Sequence, residues 1–163
     1  MKKSTFIPPV LILLLSLFVC CDNGGDCKIN NVSYYRAKFY TLDSGTGQEN
    51  NTQFAEPINV SLVVNGKDST IVNHLTDATD LALPMSYTNL CDTVLIEFGD
   101  IATDTLFVHH TNIPYFISMD CGVGMYHEIT EVNSVGQFID SVAVIHSYIN
   151  FDSNENIKIY ITE

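Results

Sequence analysis

Five histidines and five cysteines are the side chains in this 163-residue sequence best suited to chemistry, and their spacing decides what they could do. His109 and His110 are adjacent, so in a strand they point to opposite faces and cannot hold one ion together without a bulge. His127 and His146 could meet by strand pairing, but no HxH or HxxxH spacing supports a chelate. The sequence therefore assigns no metal ligands and no cofactor. A nucleophile pair of Cys121 with His127 or His109 exists in composition only, with no nucleophile elbow, phosphate loop or zinc motif beside it. Gly122-Val123-Gly124 lacks the continuation a dinucleotide site needs and reads as a bulge or turn. The acids are dispersed, so paired-carboxylate catalysis has no support; no catalytic residue is assigned and the expectation is a non-enzyme.

Two further patterns invite chemistry. Asp152-Ser153-Asn154-Glu155-Asn156 with Glu163 imitates a calcium loop, but Ile157 stands where that loop needs Gly, and residues 157–161 alternate as a strand. The tripeptides Asp68-Ser69-Thr70, Asp92-Thr93-Val94, Asp104-Thr105-Leu106 and Asp140-Ser141-Val142 match the Asp-Ser/Thr-apolar pattern that Bacteroidetes use for O-glycosylation of exported proteins. Ser69, Thr93, Thr105 and Ser141 are thus candidate acceptors. A structural reading competes, since an Asp-Ser/Thr pair also begins strands after turns, its side chain accepting from nearby backbone donors.

The N-terminus accounts for two of the cysteines. Lys2 and Lys3 precede the apolar run Val10 to Val19, a positive segment and a hydrophobic core too short for the roughly 20 residues that span a bilayer. Leu17-Phe18-Val19-Cys20-Cys21 resembles the lipobox of bacterial lipoproteins, which implies cleavage and lipidation, as by palmitate, at Cys21, with Cys20 the alternative. Residues 1–20 then form a lipoprotein signal peptide and 21–31 a lipidated tether, polar from Asp22 to Asp26. Several acyl chains exceed the two-signal threshold for stable attachment. Asp22 is compatible with outer-membrane sorting in Bacteroidetes-type bacteria, by the same resemblance. Cys27, Cys91 and Cys121 remain, an odd count in an oxidising compartment. Cys27 with Cys121 is the preferred pair, clamping the domain's start to the turn at Asp120-Cys121-Gly122. Cys27 with Cys91 and Cys91 with Cys121 stay open.

Positioning any of these groups falls to strands. Alternation of period two recurs in Ile58-Val60-Leu62-Val64, Leu81-Leu83-Met85, Val94-Ile96-Phe98, Tyr115-Ile117-Met119, Val142-Val144-His146-Tyr148 and Ile157-Ile159-Ile161. Asn65-Gly66 marks a hairpin leading through Lys67-Asp68 into residues 69–72. The first strand is expected at Val32 to Leu42, and Asp43 to Glu56 reads as structureless. No window keeps a 3.6 period. The fold class is all-β: residues 32–163 as one antiparallel β-sandwich, immunoglobulin-like or prealbumin-like, with eight or nine strands, a closed barrel being the alternative. Seven Lys+Arg against nineteen Asp+Glu exclude a phosphate-backbone binder, and at 46% hydrophobic and 16% charged the chain is not a disordered tail. Without the first twenty residues the balance is five cations against nineteen acids.

The lipobox with Cys21 and Asp22, the early Cys27, Leu81-Ala82-Leu83-Pro84-Met85 before an Asp-Thr strand, Asp104-Thr105-Leu106, Phe116 to Gly122 and Asp140-Ser141 together resemble a family of small, uncharacterised Bacteroidetes lipoproteins, domain of unknown function 6452. The resemblance implies a cell-envelope location and a Cys27–Cys121 bridge, with Cys91 the unpaired thiol; it implies no mechanism. The functional expectation is a non-enzymatic structural or protein-docking lipoprotein of the outer membrane, anchored by its lipid and facing the periplasm or the surface, with an outer-membrane protein as partner and no nucleic acid. The alternative is an extracytoplasmic glycan or ligand binder, for which Tyr34, Tyr40 or Tyr126 would form a stacking platform.

Overall fold

The structure, a computed structural model, describes residues 32–152 and 154–162. Strands form in chain order: β1 (Tyr34–Leu42), β2 (Glu49–Asn51), β3 (Ile58–Val64), β4 (Lys67–Leu75), β5 (Asp80–Pro84), β6 (Cys91–Phe98), β7 (Ala102–Ser118), β8 (Gly122–Val135), β9 (Ile139–Val144), β10 (Tyr148–Ile149) and β11 (Ile157–Ile161). No helix occurs among the described residues. The first sheet runs β2-β1-β11-β9, with β5 also on β1; the second runs β10-β8-β7-β6-β3-β4. The chain is an all-β sandwich.

Alternation explains which residues face inward. In β1 the odd positions Tyr35, Ala37 and Phe39 are buried, in β11 Ile157, Ile159 and Ile161, and in β6 Val94, Ile96 and Phe98. With no Trp available, phenylalanines supply the bulk between the sheets: Phe39, Phe54 and Phe138 surround Phe98, with ring centroids 6.1, 5.3 and 4.6 Å from it. Fully burying one such side chain contributes about 1.5–3 kcal/mol. The β3–β4 hairpin forms as expected, with Asn65 and Gly66 at φ 53° and 72°, the left-handed pair that a two-residue hairpin turn requires. Strand β4 starts directly at Lys67.

The expectations need five corrections. There are eleven strands among the described residues, because the short β2 and β10 are too brief for alternation to reveal. Strand β2 falls inside the segment 43–56 read as structureless; it pairs Tyr40 with Asn51 and Leu42 with Glu49. Pairing is not wholly antiparallel: β1 and β11 run parallel, Ala37 opposite Ile157. The stripe Tyr115-Ile117-Met119 does not face the core; it belongs to a ribbon that β7 and β8 extend past the rest of their sheet, and Met119 is 90% exposed. The stripe 142–148 is not one strand, because β9 ends at Val144 and β10 begins at Tyr148.

Candidate functional site

The core rows of the second sheet end in polar side chains. Going along β6, the inward residues are Asp92, Val94, Ile96 and Phe98; along β7 they are Asp104, Leu106, Val108 and His110. Strand β8 adds His127 and Ile129. Antiparallel pairing brings Asp92, His110 and His127 to one corner of the sandwich and leaves Asp104 at the opposite end.

In that corner His110 Nε2 stands 3.2 Å from Asp92 Oδ2. The contact lacks hydrogen-bonding geometry, and neither ring nitrogen of His110 is hydrogen-bonded to a described residue. The His127 ring meets His110 edge to face, centroids 5.2 Å apart at 82°. Asn112 fixes the state of His127. Its amide nitrogen donates to the carbonyls of Tyr87 and Asn89 at 2.9 and 3.0 Å, so its Oδ1, 2.8 Å from His127 Nδ1, must accept. His127 therefore carries its proton on Nδ1 and keeps Nε2 as a bare acceptor. Burial, and next the like charge that His110 can carry, push the His127 pKa down to about 4, against a smaller opposing pull from Asp92. Burial, then the Asp92 charge, also raises the hydroxyl of the fully buried Tyr35, which likewise lacks a described partner.

Asp92 accepts the Ser86 backbone N–H at 2.9 Å, fastening the loop between β5 and β6. A cleft of about 200 Å³ opens there between that loop and the β3–β4 hairpin, lined by Asp92, Thr93, Met85, Thr88, Asn89 and Val64 among others. At the far end Asp104, fully buried, accepts three backbone N–H groups, from Gln137, Phe138 and Ile139, at 3.1, 2.9 and 2.5 Å. Two of the four Asp-Ser/Thr pairs therefore serve as internal caps. Of the candidate acceptors, Ser69 and Ser141 are exposed and Thr93 and Thr105 are half-buried.

His109 and His110 take opposite faces as alternation requires: His110 is buried, while His109 Nε2 lies 3.8 Å from Cys91 Sγ. Burial, and next Asp92, raise the Cys91 thiol above its ordinary range, so it is no thiolate nucleophile. Among the described cysteines Cys91 is the free one. Cys121 lies on the β7–β8 turn, where its backbone N–H donates to Ser118 Oγ at 3.0 Å, and no described hydrogen bond joins it to His127 or His109. His127 and His146 do not meet: His127 turns inward to His110, while His146 is exposed. Residues 157–161 form β11, and no group of three His, Cys, Asp or Glu able to hold a metal exists among the described residues. Cys20, Cys21 and Cys27 lie outside those residues.

Of the candidate platform tyrosines, Tyr34 and Tyr40 offer no stacking surface. Tyr40 is buried with its hydroxyl on Glu155, and Tyr34, 39% exposed, lies on the same outward face of β1 but six residues away. Tyr126 instead stacks on Tyr115 at 3.9 Å, with Phe151 and Tyr148 5.5 and 5.8 Å from it. A shallow, polar recess of about 380 Å³ adjoins Tyr148. What sequence reading missed is the buried corner. Its signal was parity: Asp92 shares the inward register of Val94, Ile96 and Phe98, and an acid on that row has to be capped or paired.

No curated protein and no solved structure matches the chain. Residues 58–161, from β3 to β11, match a family of unknown function, DUF6452, and to that family the chain belongs.

Proposed function

We propose that the protein is a lipid-anchored module of the cell envelope, without enzymatic activity, that docks on an outer-membrane protein through the tip of its β7–β8 ribbon. One observation carries the docking: Phe116, Met119 and Val123 are 64%, 90% and 61% exposed, clustered where two strands project beyond the sheet. A two-stranded ribbon is marginal in water alone and gains from a covering partner. The anchor rests on the lipobox at Cys20-Cys21, with Cys21 the acceptor. Pairing of Cys27 with Cys121 is supported by the resemblance and by Cys91 being the free thiol among the described residues, and a bonded Cys121 would have no thiolate for catalysis. Ser69 and Ser141 are the acceptors best placed for glycosylation; a native mass equal to the lipidated polypeptide alone would remove that reading.

The test is in-cell photocrosslinking from position 119, followed by mass spectrometry. Capture of one outer-membrane protein, lost on Phe116→Ser with Val123→Ser, is the expected result. Recovery of lipids and abundant porins only would reject the docking. A second reading, an extracytoplasmic glycan binder, is favoured by the 48%-exposed Tyr148 beside its polar recess. Tyr148→Ala would then abolish retention on a glycan array.

A further inference from the structure

The cleft beside the buried corner has a chemistry that the docking reading does not use. Asp92 is 8% exposed, and a carboxylate so far from water needs compensation. It finds little. Its Oδ2 takes the Ser86 N–H and a badly aligned His110, while Oδ1 has no hydrogen bond from a described residue and is not sealed off from the cleft. The residue lines the cleft, whose walls include the apolar Leu62, Val64 and Met85 and whose rim carries Thr88 and Asn89.

We infer that this cleft binds an aliphatic primary ammonium group, the alkyl chain lying along Leu62, Val64 and Met85 and the charge on Asp92. Size is the first constraint. About 200 Å³ falls below the roughly 300–1,000 Å³ of sites for drug-sized ligands, so one side chain or a small amine fits and a cofactor does not. Charge is the second: a carboxylate at the base rejects anions, and the formal charge of -12 concentrates cations near the surface. Geometry is the third. Guanidinium is held best by two carboxylate oxygens side by side, and Oδ2 is already occupied. An ammonium is a point charge with three donors, which Asp92 Oδ1 and the oxygens of Thr88 and Asn89 suffice to share. Metal binding is disfavoured, because among the described residues no third His, Cys, Asp or Glu joins a ligand group there.

The experiment follows backbone amide shifts of the full chain in detergent micelles during titration with n-butylammonium and with Nα-acetyl-lysine N-methylamide. Controls are n-butanol, Nα-acetyl-norleucine N-methylamide and the arginine analogue. Saturable shifts confined to residues 86–93, at least tenfold weaker in Asp92→Asn and absent in Val64→Trp, are expected. Val64 is 45% exposed, so Trp fills the cleft without entering the core and remains informative where Asp92→Asn fails to fold. Binding of the blocked lysine alone assigns the site to a polypeptide side chain, and binding of butylammonium to a free amine. Equal shifts from an uncharged twin, tighter binding of the arginine analogue, no response to either ammonium, or undiminished binding by Val64→Trp would each overturn the inference.

Discussion

His127 is neutral in the folded protein at every pH above about 4, because charging it would place a cation in the core against His110. In the unfolded chain its pKa returns to about 6.5. The folded value is the lower one, so the unfolded state takes up a proton first and stability falls as pH drops from about 6.5 to about 4. The linked loss is at most about 3.4 kcal/mol, taking 1.36 kcal/mol per unit. Urea titrations at pH 7, 5.5 and 4.5 should show that decline for the native chain and a flatter profile for His127→Gln. An unchanged slope in the variant would refute the assignment. Asp104 makes a prediction of the opposite kind, at constant pH. Asp104→Ala strands three backbone donors, that of Ile139 buried and those of Gln137 and Phe138 part-buried, and a loss of about 3 kcal/mol is expected in equilibrium unfolding.

The turn from β8 to β9 and the β3–β4 hairpin depend on glycine for different reasons. At Gly136 the cause is close approach: an added Cβ would lie 2.0 Å from Asp104 Cγ, so Gly136→Ala pushes the carboxylate off its three donors. This variant should lose as much stability as Asp104→Ala, and the two combined should fall well short of additive, because they break one interaction. At Gly66 nothing crowds the Cβ position, and the cause is the left-handed backbone alone. Gly66→Ala should therefore cost only about 1–2 kcal/mol, read from the shift in the denaturation midpoint. The hairpin was legible in the sequence because Asn-Gly is a local signal. Gly136 was not, since its obligatory neighbour lies 32 positions earlier in the chain.

For the whole molecule, closure is by its last strand. Strand β11 sits between β1 and β9 and contributes Ile157, Ile159 and Ile161 to the core, while its exposed face ties Lys158 and Tyr160 to Glu49 of β2. Truncation before residue 157 should abolish cooperative unfolding, since it leaves β1 and β9 with unpaired edges facing each other; a retained sigmoidal transition would contradict this. The proposed Cys27–Cys121 bridge closes a long loop, and in a chain-entropy argument contributes about 4–5 kcal/mol. Cys121→Ser, or reduction, should lower the unfolding midpoint accordingly, while Cys91→Ser should leave it nearly unchanged. Equal effects from the two substitutions would show the pairing to be wrong.

The sequence by itself determined the all-β class, the inward rows of β5, β6 and β11 and the first half of that of β3, the Asn65-Gly66 hairpin and the opposed faces of His109 and His110. These depend on the two-residue period and on turn chemistry, which act between neighbours in the chain. Only the tertiary structure decided that β1 and β11 pair in parallel, that Tyr115, Ile117 and Met119 stand on a ribbon outside the core, and that Asp92, His110 and His127 share one buried corner. Those outcomes depend on which strands become neighbours. Strand pairing is a competition among many compatible edges, settled by the total apolar surface the two sheets can bury together rather than by any local residue pattern.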